Sequence, residues 1–406
     1  MNILGAYFPQ SFINNFFDTD KEINMKTEKL YYADAYIKEF DATVLSCTEC
    51  EGGYDIVLDK TAFFPEEGGQ YSDRGYIDDS YIFDVREKEK IIHHFSKNAI
   101  DVNKSVHCKL DFEERFDKMQ QHTAEHIISG ILHSLYGIEN TGFHLGAELV
   151  TLDTSRPVSA GELSIVEKLV NEAIQKNVKI TASFPSDDEL SKMEYRSKLE
   201  LTEDVRIVRI EGYDVCACCA PHVGYTGEIG QLVFVESVKH KGGSRITMLA
   251  GMRAYSYLRK ILSEASAVSV KLSAPKTNIA QEVDALLDAK AALEYKINGL
   301  GNALAGLYAA SIPRTGGNYV FYSEILDFDA LKALMNTSRE KVGGIFVGLV
   351  GEENSFRYIL MTDSADFQSI VKNANEALSG RGGGRAPMAS GTFLATLDKI
   401  KEYFSV

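Results

Sequence analysis

Two pairs of potential metal ligands, widely separated along the chain, place the strongest constraint on its fold. The first pair is the two histidines of His122-Thr-Ala-Glu-His126, and the second pair, a cysteine and a histidine, lies in Cys216-Ala-Cys218-Cys219-Ala-Pro-His222. Residues four apart on a helix lie on one face, so two imidazoles at this spacing can bind one ion. A fold that joins both pairs gives a tetrahedral set of His122, His126, His222 and one of the three cysteines, which is typical of zinc.

Other chemistries of the same residues remain open at this stage. Cys216 and Cys219 flank Cys218 closely enough to compete for the ion. A metal-free cysteine and histidine pair is also possible, although no orienting third group is evident. A metalloprotease is disfavoured, because its general base follows the first histidine in His-Glu-x-x-His, whereas Glu125 precedes the second one here.

Composition indicates a globular protein in a reducing compartment. The 406 residues predict two or three domains. Six cysteines, three of them within four positions, are a poor disulfide framework and favour a cytoplasmic location. No apolar run approaches the roughly 18 residues of a membrane span, and the beginning is unlike a secretory signal. Met1 and Met25 are both possible starts.

The charge of the chain bears on its partners. Lys and Arg number 43 against 58 Asp and Glu, which gives a formal net charge of −15. Such a balance argues against nucleic-acid binding by the surface as a whole, because phosphates attract basic surfaces. The net charge is still compatible with a nucleic acid that binds to a local basic patch, or that contacts the protein only through one of its ends.

The pattern of apolar residues predicts an α+β protein of several domains. Short alternating runs indicate a small β-barrel-like domain over residues 1–110. A helix from about 111 to 136, stopped by Gly137, opens a mixed α and β domain over 111–252. A long helical segment, interrupted at Pro275, follows over 253–312. Short strands between helical patterns predict a small α/β domain over 313–406.

The second part of the helical segment carries a heptad seam, in which core positions alternate by four and three residues. These positions are Ile279, Val283, Leu286, Lys290, Leu293, Ile297, Leu300, Leu304 and Leu307. Such a seam pairs with another helix. The pattern is compatible with an intramolecular helical hairpin and with a homodimer formed through the helix at 279–307.

These residues resemble a known family. The two ligand pairs look like the zinc signature of the alanyl-tRNA synthetase editing domain, which the threonyl enzyme shares. The segments around them strengthen the likeness: Met119-Gln-Gln-His-Thr-Ala-Glu-His126, Asp73-Arg-Gly75 and His222-Val-Gly-Tyr-Thr-Gly-Glu-Ile-Gly230. Phe64-Pro-Glu-Glu-Gly-Gly-Gln70 resembles the small β-domain that precedes the editing core in alanyl-type proteins, and it favours the alanyl branch.

The end of the chain extends the likeness. Gly380-Arg-Gly-Gly-Gly-Arg-Ala-Pro-Met-Ala389 resembles the DHH-associated domain that closes alanyl-tRNA synthetases. An Asp-His-His triplet does not occur, which disfavours a phosphoesterase. Only about two dozen residues precede the β-domain, where a synthetase has its aminoacylation domain. The chain therefore resembles the long form of the free-standing alanyl-tRNA editing proteins, often called AlaX.

The resemblance implies a trans-editing hydrolase that uses zinc to deacylate mischarged tRNA(Ala), with Ser-tRNA(Ala) and Gly-tRNA(Ala) as expected substrates. A site built for alanine rejects these amino acids poorly by binding alone, so a second site removes the errors. The family's Cys-Gly-Gly-Thr-His is Cys218-Cys-Ala-Pro-His222 here, and its register favours Cys218 as the thiolate over Cys216 and Cys219. Four protein ligands favour a positioning role for zinc, and three would leave room for water.

Further roles follow from the same resemblance. If zinc only positions the substrate, polar neighbours must hold the water, and Thr123, Gln121 and His144 are the candidates. For contacts with tRNA, the chain offers two basic groups: Lys239, Lys241 and Arg245 in one loop, and Arg381 and Arg385 around the glycine run. An inactive, zinc-stabilised module that binds tRNA is the alternative from another functional class.

Overall fold

A computed structural model describes residues 26–197 and 205–404. The choice between Met1 and Met25 as the start lies outside these residues. The chain divides into two compact units, one that ends at Glu264 and one that begins at Ala265. Within the described residues, the helices are too short or too polar to cross a membrane.

The first part of the first unit is built from strands, with one short helix, α1 (Leu30–Ala33). The strands are β1 (Glu28–Lys29), β2 (Glu39–Cys50), β3 (Gly53–Leu58), β4 (Lys60–Thr61), β5 (Gly75–Ile77), β6 (Ser80–Lys88), β7 (Ile91–Ser96) and β8 (Ser105–Leu110). Strands in the order β2-β3-β7-β6-β5-β8 close into a barrel. An irregularity between Ile82 and Asp84 shifts the alternation of side chains along β6, so both Ile82 and Val85 lie in the barrel core.

The second part of this unit surrounds a long helix, α2 (Phe112–Tyr136), that ends at Gly137 with φ of 62°. The other elements are β9 (Asn140–Leu145), β10 (Val150–Thr154), α3 (Ala160–Lys176), β11 (Ile180–Ser183), α4 (Asp187–Leu190), β12 (Ile207–Ile210), β13 (Asp214–Ala217), β14 (Leu232–His240) and β15 (Gly243–Ala250). The sheets have the orders β14-β15-β10-β9 and β11-β12-β13, and both α3 and β13 pack against α2.

Helix α2 is buried on almost all sides from Arg115 to Leu132. Its apolar side, which includes Ile128 and Leu132, belongs to a core shared with α3 and the sheet. The opposite side, which carries His122 and His126, is also buried, although its residues are polar. Buried polar groups need partners, so this side of α2 is where a site is expected.

An ion cluster ties the barrel to α2. Asp73 follows the last turn before β5, and its carboxylate binds the guanidinium of Arg115 and lies 3.5 Å from Lys118 Nζ. The same carboxylate accepts a hydrogen bond from the backbone N–H of Phe64 at 2.7 Å. Arg115 also donates to the carbonyl of Ala62, so a single guanidinium joins the helix to two barrel segments.

Two long helices follow β15. Helix α5 spans Gly251–Leu272 and α6 spans Ile279–Ser311, with Pro275 in the turn between them. The predicted helical segment and its interruption therefore correspond to elements of the structure. The predicted seam on α6 is open to solvent, since Leu286, Leu293 and Leu300 are between 58% and 71% exposed.

In the second unit, α6 is followed by a small α/β arrangement. Its elements are β16 (Tyr319–Ser323), α7 (Phe328–Ser338), β17 (Phe346–Glu352), β18 (Ser355–Met361), α8 (Phe367–Ala377), β19 (Arg381–Arg385), β20 (Met388–Phe393) and α9 (Leu397–Tyr403). The sheet order is β16-β17-β18-β20-β19, with β16 and β17 parallel across α7 and the remaining pairs antiparallel. The glycine run forms the edge strand β19.

Candidate metal centre

The fold brings both predicted ligand pairs to one place. Helix α2 presents His122 and His126 one turn apart, and β13 leads directly into the turn that holds Cys218 and His222. Each of the four offers one ligand atom, and all four atoms lie within 4.8 Å of one another. Three of these side chains are buried and that of Cys218 is half-buried.

The separations suit a tetrahedral ion. The Sγ of Cys218 lies 3.4 Å from Nε2 of His222 and 3.7 Å from Nε2 of His122. A tetrahedral shell with zinc–nitrogen bonds of about 2.0 Å and zinc–sulfur bonds of about 2.3 Å separates nitrogen from sulfur by roughly 3.6 Å. The donor atoms of the chain therefore match the size and the chemistry of a zinc site.

The second ring nitrogen of each histidine is occupied by a partner from the protein. The pairs are His122 Nδ1 with Gln70 Oε1 at 3.0 Å, His126 Nδ1 with Asp214 Oδ2 at 2.9 Å, and His222 Nδ1 with Thr123 Oγ1 at 3.0 Å. Acceptors at Nδ1 fix the tautomer that leaves Nε2 available to bind a metal. All three imidazoles therefore face the shared centre with the nitrogen that a metal needs.

Gln70 reaches the centre from the loop between β4 and β5. The loop lies close against β9, because Gly69 has φ of 83° and a Cβ there would lie 2.5 Å from the carbonyl oxygen of Phe143. Only glycine accepts both the positive φ and this close approach. The Gly-Gly-Gln segment is thus the sequence feature that lets Gln70 accept the hydrogen bond from His122.

Asp214 contacts one of the candidate ligands, although no sequence pattern had indicated it. Its carboxylate accepts from His126 and from Arg196, whose Nε and Nη2 lie 2.8 and 2.9 Å from the two oxygens. The carboxylate is almost fully buried, and the pKa of Asp214 is lowered because His126 and Arg196 outweigh the effect of burial. A second group of ligand atoms lies close together, from His126, Asp214 and Cys216. In this group the Asp214 carboxylate is already paired with Arg196.

The three neighbouring cysteines differ in their electrostatic surroundings. Burial alone would raise the pKa of Cys218, but His122, His222 and His126 outweigh it and hold the pKa well below its usual value. Burial raises the pKa of Cys216 to about 11, and burial together with Cys218 also raises the pKa of Cys219. Cys218 is therefore the cysteine most ready to act as a thiolate ligand.

The side chains of Thr123 and Gln121 on α2 are both held by hydrogen bonds within the protein. The Thr123 hydroxyl donates to the carbonyl of Met119 at 2.7 Å and accepts from His222. The Gln121 amide bonds both the N–H and the carbonyl of Ala250, at 2.8 and 2.9 Å. These bonds place Thr123 beside a candidate ligand and use Gln121 to join α2 to the end of β15.

His144 lies on β9 and is exposed. Its neighbour Phe143 has its ring 4.9 Å from that of His122, measured between centroids. Adjacent residues of a strand face opposite sides, so β9 presents Phe143 rather than His144 to the candidate centre. His144, a predicted candidate for holding the water, therefore lies on the side of β9 that faces away from His122.

A cavity of about 850 Å³ opens onto the cluster and is lined by His122, His126 and Cys218. Glu67 lines it as well. The residue as a whole is exposed, but its carboxyl group is partly buried, and this partial burial raises the carboxyl pKa. Such a carboxylate can accept a proton from a bound water. Glu67 belongs to the segment Phe64-Pro-Glu-Glu-Gly-Gly-Gln70, but no sequence pattern predicted a role for it.

Comparison with known proteins connects this geometry to a family. Residues 9–114 match the family described as tRNA synthetases class II (A), and residues 205–247 match the threonyl and alanyl tRNA synthetase second additional domain. The alanyl-tRNA editing protein Aarsd1 of Danio rerio is 28% identical over 87% of this chain and 90% of its own length. AlaX-L of Pyrococcus horikoshii is 26% identical over 93% of this chain and 100% of its own length.

This chain is a relative of the free-standing alanyl-tRNA editing proteins. By contrast, the alanine–tRNA ligase of Ignicoccus hospitalis is 32% identical, but the match covers 64% of this chain and only 30% of the ligase. Among solved structures, the C-Ala domain of the Aquifex aeolicus alanyl-tRNA synthetase aligns over 22% of this chain, with 17% identity and a TM-score of 0.18. A score this low does not show a shared fold.

In this relative of the editing proteins, the first group of predicted tRNA contacts lies on the β14–β15 hairpin. Lys239 and Lys241 are exposed there, and Lys241 has φ of 44° in the turn. Arg245 is already paired, because its Nε and Nη2 each lie 2.7 Å from an oxygen of Asp153. The two lysines are therefore better placed than Arg245 to meet a phosphate.

The second group lies on the edge strand of the other unit. Arg381 and Arg385 stand at the two ends of β19, and both are exposed. Residues four apart on a strand face the same side, so the two guanidinium groups can contact one backbone. Gly383 between them is open to approach, since a Cβ there would meet nothing within 4 Å.

Proposed function

We propose that this chain is a trans-editing aminoacyl-tRNA deacylase, which hydrolyses the ester between tRNA(Ala) and a wrong amino acid, serine first and glycine second. The observation that carries the proposal is the cluster of three histidines and one cysteine on a cavity wall. The relatives named alanyl-tRNA editing proteins, which this chain matches over most of their length, support the choice of substrate.

We further propose zinc as the metal of this site. Three imidazoles and one thiolate are ligands that zinc prefers, and their atoms suit a tetrahedral shell. Zinc bound here supplies a positive charge that attracts the ester or a water. Because His122, His126, Cys218 and His222 together supply four ligands, a positioning role is the one that the donor set favours.

The residues around the proposed zinc ion have two roles, to orient the histidine ligands and to accept a proton. Gln70, Asp214 and Thr123 each hold one histidine in the tautomer with Nε2 facing the centre. Glu67 is proposed to accept the proton of the attacking water, because it lines the cavity and burial raises the pKa of its carboxyl group. The catalytic roles predicted for Thr123, Gln121 and His144 remain predictions, and for Thr123 we favour positioning of His222.

Comparison of three esters tests the proposal. Ser-tRNA(Ala), Gly-tRNA(Ala) and Ala-tRNA(Ala) are incubated with the zinc-loaded chain, and the loss of each ester is followed. We expect serine and glycine to be released while alanine is spared. If none of the three esters is cleaved, the proposed editing function is wrong. Binding of uncharged tRNA(Ala) by the same protein would then support the alternative, an inactive module that binds tRNA.

For the remaining architecture, we propose the four segments 1–110, 111–252, 253–312 and 313–406 as domains, the last of them a DHH-associated domain. Its edge strand β19 presents Arg381 and Arg385, which we propose as contacts to the tRNA, together with Lys239, Lys241 and Arg245. A cytoplasmic location suits this substrate, and it is compatible with the six free cysteines.

We also propose that α6 forms a homodimer through residues 279–307. Its heptad leucines are mostly exposed, and a second copy of the seam would cover them. Sedimentation of the intact chain is expected to give a dimer, and Leu293→Glu a monomer. Ile325→Glu, at a site that is 74% exposed outside α6, is the matched control and should remain dimeric. A monomeric wild type at micromolar concentration would contradict the proposal.

A further inference from the structure

The cavity beside the metal centre has an aromatic wall. Tyr32 and Phe184 line the cavity, with ring centroids 5.3 Å apart and an angle of 71° between the rings. Phe184 is 51% exposed, so much of its ring is open to a ligand. The guanidinium of Arg206 lies 5.3 Å from the centroid of the Tyr32 ring.

Arg206 links this wall to the candidate ligands. Its Nη1 donates to the backbone carbonyls of Cys218 and Ala220, at 2.9 Å each. Tyr32, Cys218 and Cys219 all pack against one small apolar cluster, formed by Tyr31, Phe64 and Ala220. The aromatic wall and the candidate ligands are therefore joined through Arg206 and this cluster, and both line the same cavity.

The substrate of the proposed reaction has only one group that suits such a wall. Seryl and glycyl groups are small, and they fill little of a cavity of about 850 Å³. Apolar, aromatic walls select flat ring systems, and every nucleobase presents a π-face that can stack on an aromatic side chain. The ester is attached to the terminal nucleotide of tRNA, so the base of that nucleotide lies close to the reacting bond.

We propose that Tyr32 and Phe184 form the binding site for the terminal adenine of the aminoacyl-tRNA, with Arg206 as the brace that holds Tyr32 in place. The proposal rests on the deacylase function stated above and names the part of the substrate that the cavity recognises. The amino acid then occupies the end of the cavity at His122, His126 and Cys218, and the adenine occupies the aromatic wall.

The charges around the cavity favour recognition of the base over recognition of phosphate. Its lining includes five basic residues and four glutamates: Lys26, Lys29, Lys90, Arg196, Arg206, Glu28, Glu67, Glu87 and Glu125. Lys29 is held by Glu87 at 2.7 Å. Arg196 is likewise paired with Asp214. A nearly balanced lining, with two of its cations already paired, attracts phosphates weakly in a chain of net charge −15, whereas stacking does not require a net positive charge.

Steady-state deacylation of Ser-tRNA(Ala) tests the site through KM and kcat separately. Phe184→Leu and Tyr32→Leu remove the aromatic faces, and we expect KM to rise roughly tenfold with a smaller change in kcat. Phe184→Tyr and Tyr32→Phe keep a ring and should restore KM. Phe83→Leu, which changes an exposed phenylalanine of the barrel, is the matched control and should leave KM unchanged.

A second measurement does not depend on hydrolysis. An uncharged RNA hairpin that reproduces the acceptor stem carries 2-aminopurine in place of the terminal adenine, and stacking quenches its fluorescence. We expect quenching with the wild type and with Phe83→Leu, and its loss with Phe184→Leu, a surface change that should not disturb folding. Bound hairpin that remains fully fluorescent overturns the adenine site. Quenching in a protein that cleaves no ester overturns only the deacylase function.

Discussion

Replacing Cys218 with alanine is expected to lower hydrolysis of Ser-tRNA(Ala) more than about a hundredfold and to remove zinc from the protein. Mutation of groups that merely orient metal ligands typically costs 10- to 100-fold in affinity or activity, and loss of the ligand itself should cost more. Cys218 is surrounded by three imidazoles that hold its pKa well below the usual value, so its thiolate is the anionic member of the proposed ligand set. Bound zinc and the rate of ester loss are measured on the same samples.

Two control variants show whether the effect is specific to Cys218. Cys50→Ala changes a half-buried thiol at the end of β2 and should retain both zinc and activity. Cys216→Ala removes a buried thiol whose pKa is raised to about 11, and it should retain one equivalent of zinc. If Cys216→Ala loses the metal while Cys218→Ala keeps it, the ion binds at His126, Asp214 and Cys216 instead.

Asp73→Asn is expected to reduce the free energy of unfolding by about 3–5 kcal/mol, because it leaves buried positive charges without their partner. Asp73, Arg115 and Lys118 are each at most 1% exposed. Urea unfolding, followed by circular dichroism, measures the loss. Glu39→Gln, which removes an exposed partner of Lys109, is the control and should change stability little. A loss for Asp73→Asn no larger than the control's would contradict the proposed coupling of the barrel to α2.

The pH dependence of stability gives an independent check on Asp73. Burial alone would raise the pKa of its carboxyl group, but Arg115 and Lys118 outweigh it and lower the pKa. A lowered pKa contributes stability that is fully present above the unfolded value, about 3.9 for aspartate, and is lost as the pH falls through the folded value. The wild type should therefore lose stability more steeply below about pH 4 than Asp73→Asn does.

Local spacing was enough to predict the parts of the site that lie within one element. His122 and His126 could be placed on one helix face from their separation alone, and Gly137 correctly predicted the end of α2. The interruption near Pro275 follows from the missing N–H and the fixed φ of proline. The barrel and the sheets, in contrast, depend on strand pairing between distant segments, which alternating patterns indicate only in outline.

Residues that act across elements could not be predicted in this way. Gln70 and Asp214 reach the histidines from other parts of the chain, 52 and 88 residues away. Neither has a local pattern that marks it as a partner of a ligand. The general need of metal-bound imidazoles for an acceptor at Nδ1 predicts that such residues exist, but not which ones they are.

The register of strand β9 could not be predicted from the sequence either. The resemblance suggested His144 as one of the residues that hold the water, and it is Phe143, its neighbour on β9, whose ring lies against that of His122. Because side chains alternate along a strand, a shift of one residue exchanges Phe143 for His144 at the histidine cluster. His122 and His126 lie on the side of α2 opposite its apolar residues, which suggests a solvent-exposed position. The sequence did not indicate that the barrel loop with Gln70 would cover them.

The central claim is that the four-residue cluster is a zinc centre for removal of wrong amino acids from tRNA. The measurement that tests it most directly is the rate of Ser-tRNA(Ala) hydrolysis by protein that is first stripped of metal and then titrated with zinc. We expect little hydrolysis without metal, full recovery at one equivalent per chain, and no comparable loss of Ala-tRNA(Ala). Equal rates with and without zinc, or a folded and zinc-loaded protein that leaves the seryl ester intact, would contradict the claim.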